Sequence, residues 1–305
     1  MLEDNAGTMK NAYAPELIHQ KTLAFIEQNR ERPFFCVVAS IMPHAELAAP
    51  ERYLAQHRGK YGPEKPYAGV DDGPTYRNGP YASQSEPHAA FAAMINVLDD
   101  HVGEIVAKVR ALGLAENTLI IFTSDNGPHT EGGADPDYFG SNGGLRGTKR
   151  DLYEGGIRVP MIAWWPGVIR PGSETSHVLA FWDVMPTLAE LAQLPAPPGI
   201  DGISFAPTLT GRGQQRQHEY LYWEFHEAGG RLALRQGDWK IVRNDVLEKP
   251  DGPAELYHLA SDPAEKNNLA AQQLERVRAM AATMRSARVD SPVFRFAQKG
   301  YLQTK

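Results

Sequence analysis

Apolar residues recur at three- and four-residue spacing between His88 and Leu112: Phe91, Met94, Leu98, Val102, Ile105, Val109 and Leu112. That is the period of a helix with one face on a core, and Gly113 fits its stop. A first helix is predicted from Pro15 to about Arg30, with Pro15 in the first turn and Leu17, Thr22, Phe25 and Ile26 on one face. The unbroken apolar run Phe34 to Ile41 predicts a strand buried on both faces, and 118–123 a second such strand. Val159 to Trp164 reads as a third. A helix followed by a strand is the signature of a βαβ unit, hence of a mostly parallel sheet flanked by helices. Asp183 to Leu194 predicts a helix capped by Asp183. Ala48 to Glu86 is rich in Pro, Gly, Tyr and charge, with little periodicity, and reads as a long functional loop.

From about Gln214 the pattern changes. Tyr220–Phe225, Leu232–Arg235 and Trp239–Val242 are short strands between turn residues, followed by a final helix from about Ala271 to Val289. The expected organisation is an α/β domain over 1–213 and, over 214–305, a subdomain with a small antiparallel sheet and a helix.

Composition narrows the possible classes. The 305 residues are 42% apolar and 22% charged, with a formal net charge of −6. A nucleic-acid surface needs clustered Lys and Arg, and no run of these exceeds two residues. No apolar stretch reaches the roughly 18 residues that span a bilayer, so neither nucleic acid nor membrane is an expected partner. The opening MLEDNAGTMKNAYAPE lacks the basic start and apolar core of a secretory signal. Cys36 is the single cysteine, so no internal disulfide forms.

Three segments carry candidate chemistry. Ser124-Asp125-Asn126-Gly127 follows a predicted strand, where ligands of open sheets bind. Asp125 and Asn126 offer oxygen, which suits Ca²⁺ or Mg²⁺; Asn-Gly is equally a plain turn signal. Asn142 to Lys149 is glycine-rich and ends in a cation, a composition that suits an anion or a solvated surface loop. It is not a P-loop, because Thr148 and Arg150 flank Lys149. His44 lies past the end of the 34–41 run and reads as an anion donor, a leaving-group acid, or a structural histidine. Asp71-Asp72 and Asp99-Asp100 sit in contexts that favour solvated charge, and Cys36 reads as packing.

Taken together, Ser124-Asp125-Asn126-Gly127, then Leu145-Arg146-Gly147-Thr148-Lys149, then Tyr153-Glu154-Gly155-Gly156-Ile157-Arg158-Val159-Pro160 resemble the sulfatase family of the alkaline phosphatase superfamily. Leu98 to Gly103, Asp183 to Leu188, Asp201 to Ser204, Gly237 to Lys240, Glu255 to Leu259 and Asp262 to Glu265 extend the resemblance over nearly the whole chain. It implies hydrolysis of sulfate esters, of an aryl alcohol or a carbohydrate. It implies Asp125 and Asn126 as metal ligands, usually to Ca²⁺ with Mg²⁺ as the alternative. Lys149 and His44 would contact the sulfate and the leaving-group oxygen, and His129 would face the same pocket. These side chains should surround a space the size of one sulfate.

The family's formylglycine nucleophile arises in the pattern Cys-x-Pro-x-Arg. Cys36 is followed by Val-Val-Ala-Ser, and nothing else in the chain matches. The early Asp-Asp metal pair and the mid-domain Lys and His also lack counterparts. The resemblance thus implies a chain that starts inside the catalytic domain, with an N-terminal half supplied separately. The family is often exported, and the compartment stays open. Two other readings remain: a non-catalytic binder of sulfated sugars or another anion, and a phosphate or phosphonate ester hydrolase. Relatives of the last kind hold two metals through histidines, where this chain has Asn126.

Overall fold

A computed structural model describes residues 2–3, 6–7, 12–71 and 81–289. They divide into two compact units, residues 1–119 with 129–135, and residues 120–128 with 136–305.

In the first unit a two-residue hairpin, β1 (Leu2–Glu3) and β2 (Ala6–Gly7), precedes helix α1 (Ala14–Gln28). Helices α2 (Glu51–His57) and α3 (Pro87–Ala111) follow. The period read in the sequence is the one α3 uses. Ala90, Met94 and Val97 are buried with Met42, Leu47 and Ala134. Full burial of side chains such as Met94 and Val97 contributes about 1.5–3 kcal/mol each. Helix α3 ends as expected: Gly113 has φ +71° and donates its N–H to Arg110 O. Polar contacts join α1 to α3. Lys108 Nζ meets Glu27 Oε2 at 2.9 Å, and the rings of His19 and His101 stack at 4.0 Å.

Two expectations fail in this unit. The run Phe34–Ile41 has no regular secondary structure and belongs to no ladder among the described residues, and Phe35 and Val37 are each 71% exposed. A strand needs a hydrogen-bonding neighbour, and no described segment supplies one. The stretch Ala48–Glu86 is not wholly irregular, because α2 forms just after Pro50. Residues 72–80, including Asp72, lie outside the described residues.

In the second unit β3 (Ile120–Thr123) pairs antiparallel with β4 (Met161–Trp164), Thr123 opposite Met161. The α/β class stands, but the parallel ladder expected beside it is not among the described pairings, which are all antiparallel. Short helices α4 (Pro136–Phe139), α5 (Glu154–Ile157), α6 (Val184–Leu191) and α7 (Ala206–Thr210) connect to a four-stranded sheet. Its order is β5 (Leu221–Phe225), β6 (Arg231–Gln236), β7 (Trp239–Arg243), β8 (Glu255–His258), antiparallel throughout.

Side chains alternate across that sheet. Leu232, Leu234, Ile241 and Leu256 face helix α8 (Leu274–Ala287) through its Met280 and Met284. Ala233, Val242 and Tyr257 face the other way, onto Leu152 and Tyr153. Both faces are therefore covered, and the second layer comes from the glycine-rich motif region.

Asp183 does not cap α6. Its carboxylate accepts from Ala180 N and Ile203 N, both at 2.8 Å, and from His218 Nε2 at 2.7 Å. The side chain is committed to joining the 180–203 loop rather than to the first turn of α6. Among the described residues no helix is long and apolar enough to cross a membrane.

Candidate active site

The three motifs are woven together through their backbones within the second unit. Strand β3 ends at Thr123, whose hydroxyl donates to Pro160 O at 2.9 Å. Ser124 Oγ then donates to Asn126 O at 2.8 Å, closing the turn that presents Asp125 and Asn126. Gly127 N donates to Gly156 O at 2.9 Å, Lys149 N to Pro128 O at 2.7 Å, and Gly155 N to Arg146 O at 2.7 Å. There is no room for side chains in this weave. A Cβ on Gly127 would lie 1.9 Å from Gly155 O, and one on Gly155 would lie 2.3 Å from Gly147 O. Asp151 ties the loop further, accepting from Thr148 N at 2.9 Å and from the Arg231 guanidinium at 2.7 Å. The residues carrying Asp125, Asn126 and Lys149 thus share one rigid scaffold.

Behind the weave lies a buried charge cluster that sequence reading missed. Lys240 Nζ, fully buried on β7, meets Glu154 Oε1 at 2.9 Å and Glu265 Oε1 at 3.1 Å. Glu265 Oε2 accepts from Glu154 N at 2.6 Å. Burial pushes the Glu265 carboxyl up, with the Lys240 charge opposing. Glu265 also holds φ +51°, a left-handed conformation costly for a non-glycine residue. The motifs containing Glu154, Lys240 and Glu265 therefore meet at one point, directly beneath Gly155 and Gly156.

The metal expectation can be tested on the donor set. The Asp125 carboxylate is exposed and has no hydrogen bond or ion pair to a described residue. Asn126 Nδ2 donates to Gly127 O at 2.9 Å, which leaves its Oδ1 as the ligating atom. One carboxylate and one amide oxygen fit a hard cation such as Ca²⁺ or Mg²⁺, which takes six or more oxygens. They fit as two ligands of such a set. Among the described residues no group of three or more His, Cys, Asp or Glu is placed to hold a metal.

The first unit holds the two histidines. His44 Nδ1 is 2.8 Å from Ala45 O, which can only accept, so Nδ1 carries a proton and Nε2 lies on the opposite side of the ring. The His129 ring stacks on His44 with centroids 4.8 Å apart. The structure brings these two rings together, as it does the backbone segments of Asp125, Asn126 and Lys149 in the other unit.

The decoys are accounted for. Asp71 accepts from Ser83 N at 2.8 Å, and Asp100 from Tyr53 Oη at 2.6 Å. Cys36 is half-buried, and burial raises its thiol pKa, which keeps it protonated.

The fold and this motif weave define an alkaline phosphatase-like α/β architecture. Solved structures share it: Ps i-CgsB has a TM-score of 0.74 at 22% identity, covering 93% of this chain and 56% of that one. A protein solved in complex with its substrate D-glucosamine-2-N,6-O-disulfate gives 0.72 at 19% identity, over 93% of this chain and 71% of that one. The phosphonate monoester hydrolase of Silicibacter pomeroyi gives 0.67 at 20% identity, over 92% and 61%. At these identities the likeness concerns the fold.

The sulfatase family model matches residues 3–194, and the model for the N-sulphoglucosamine sulphohydrolase C-terminal region matches 147–289. The chain belongs to the sulfatase family. It is 43% identical over 203 residues to steryl-sulfatase of Rattus norvegicus, covering 65% of this chain and 30% of that protein. Arylsulfatase A of Homo sapiens is 32% identical over 262 residues, covering 79% and 45%. N-acetylgalactosamine-6-O-sulfatase of Bacteroides thetaiotaomicron is 31% identical over 234 residues, covering 66% and 44%. The chain spans less than half the length of each of these three relatives.

Proposed function

We propose that this chain contributes to the hydrolysis of sulfate esters, of aryl or carbohydrate alcohols, as part of a sulfatase active site. The observation that supports it most is the backbone weave. It puts the oxygen-bearing Asp125 and Asn126 and the cation Lys149 on a single scaffold in which Gly127, Gly147, Gly155 and Gly156 have no room for a Cβ. Membership of the sulfatase family and the sulfatase names of its relatives support sulfate esters as the substrate class.

In this reading Asp125 and Asn126 hold Ca²⁺, or Mg²⁺ in its place, and a bound dication supplies positive charge against the sulfate oxygens. The Lys149 ammonium binds the sulfate and draws charge from the ester oxygen as the S–O bond lengthens. As the imidazolium, with Nδ1–H held by Ala45 O, His44 delivers the second proton from Nε2 to that oxygen and is left as the neutral Nδ1–H form. His129 stands one ring away from the anion. No residue of this sequence matches the formylglycine pattern, so the attacking oxygen has no donor here. The catalytic portion extends to about residue 213, with the sheet and α8 as a C-terminal subdomain.

Binding to the 305-residue chain tests the reading. Ca²⁺ and inorganic sulfate, titrated separately and together, should each raise Tm. Asp125→Ala should abolish the Ca²⁺ response and Lys149→Ala the sulfate response. If both variants respond like the wild type, the assignment of these residues is wrong. Aryl sulfate turnover should appear when a segment carrying Cys-x-Pro-x-Arg is mixed with the chain, and its absence would favour a binding protein.

A further inference from the structure

We propose that His129 is a positioning residue, which together with the turn that follows it fixes the orientation and tautomer of His44. Both ring nitrogens of His129 are engaged by the protein. Nε2 lies 3.0 Å from Pro43 O, which can only accept, so Nε2 carries a proton. Nδ1 lies 3.2 Å from Glu131 N and 3.0 Å from Glu131 Oε2. It either accepts the backbone N–H or, protonated, donates to the carboxylate. In both states the ring is held at each end, and at 7% exposure it is fixed in place.

The grip falls on the residues that carry His44. His129 Nε2–H binds the carbonyl just before His44, and its ring covers one face of the His44 imidazole at an interplanar angle of 21°. Tyr81 approaches His44 edge-on, centroids 5.9 Å apart. The turn after His129 closes the clamp. Gly132, at φ +62°, packs so closely that a Cβ would lie 2.6 Å from the Ala45 Cβ, and one on Gly133 would lie 2.8 Å from the Tyr67 Cβ.

Pro43 and Ala45 are therefore held on either side of His44, and the Ala45 carbonyl stays 2.8 Å from His44 Nδ1. A free imidazole prefers its proton on Nε2. The clamp selects the Nδ1–H form, in which Nε2 is turned away from Ala45. That this orientation serves an anion, once Nε2 also takes up a proton, rests on the proposed function. The tautomer selection does not depend on it.

Nitrogen NMR of the imidazoles, on the full chain labelled with ¹⁵N-histidine, reads the outcome directly. In the wild type, His44 should show one tautomer, protonated at Nδ1. In His129→Ala it should become a mixture with Nε2–H as the larger part, and in His129→Phe, which keeps the stacking but not the hydrogen bonds, it should fall between. A His44 signal unchanged in both variants overturns the proposal. Where His129→Ala fails to fold by circular dichroism, His129→Asn, which retains a donor for Pro43 O, should preserve more of the Nδ1–H form than His129→Phe, and the reverse order overturns it. Inorganic sulfate added to the wild type separates the two ideas. Sulfate that leaves the His44 signals unmoved counts against the sulfatase reading, while the tautomer result decides the clamp.

Discussion

Lys240 Nζ lies 2.9 Å from Glu154 Oε1, with neither side chain more than 3% exposed. The pair joins β7 to the helix that carries Gly155 and Gly156, and through their backbone to Gly127 and the Asp125 turn. A buried pair adds little over an apolar replacement, but removing one partner strands the other charge at about 3–5 kcal/mol. Arg235 and Arg158 approach Glu154 only at 3.8 and 3.9 Å and give slight relief. Lys240→Met should therefore destabilise the chain by about 3 kcal/mol, read from the urea midpoint. Adding Glu154→Gln and Glu265→Gln should restore most of the loss. If the triple variant is no better than the single, the cost lies in packing rather than in stranded charge.

The weave makes a sharper prediction at Gly127. A methyl group there meets Gly155 O at 1.9 Å, and backbone on both sides prevents relaxation. Gly127→Ala should cost about 2 kcal/mol or more, the upper part of the range for overpacking. It should also weaken Ca²⁺ binding, because the Asp125 turn must shift. A variant with wild-type Tm and wild-type Ca²⁺ response would show that the three motifs pack more loosely than described.

Much of this was legible in the sequence, for reasons specific to each element. Helix α3 announces itself because a single apolar face repeats over 25 residues, and its stop is a glycine that adopts φ +71°. Strands β5 to β7 are bounded by turn residues such as Gly229, Gly230 and Gly237, each at positive φ. Phe34–Ile41 reads as a strand in sequence because apolar content measures what a segment could bury, not whether a neighbouring strand is there to pair with it. Helix α2 has seven residues, too few for a period to emerge. Of the candidate site, Asp125, Asn126 and His44 stand out by position after a predicted strand, and Lys149 by its glycine-rich motif. The Glu154–Lys240–Glu265 cluster does not. Its members are 86 and 111 residues apart from Glu154, and Lys240 sits in a strand where alternation could place it on either face. No local signal marks a lysine whose counter-charges arrive from elsewhere in the chain.

Gly103 offers the opposite case to Gly127. It lies exposed within α3, away from positive φ, and a Cβ there meets nothing within 4 Å. Gly103→Ala should stabilise the chain by about 0.5–1 kcal/mol, through lost backbone entropy in the unfolded state. A small rise in Tm with unchanged sulfate and Ca²⁺ responses is the expected result. A fall in Tm would mean that this turn of α3 is covered by something the described residues do not include.

The stacked pair His19 and His101 sets a pH dependence with a definite sign. The rings lie 4.0 Å apart and nearly parallel, His101 is 9% exposed, and His19 Nε2 meets Glu104 Oε2 at 2.8 Å. Burial, and then the charge of His19, hold His101 below the ordinary histidine value of 6.5, against the pull of Glu104, Glu16 and Asp100. Burial lowers His57 in the same direction. A histidine that resists protonation in the folded state contributes stability that is fully present above pH 6.5. That contribution is lost as pH falls, because the unfolded chain takes up the proton first. The Tm should thus be level between about pH 7 and 8 and decline below 6.5. His101→Phe keeps a ring stacked on His19 without a titrating group, so it should flatten the decline in part, with His57 and His177, both lowered by burial, supplying the rest. An identical slope in wild type and His101→Phe would place the acid sensitivity elsewhere and leave the stack as packing alone.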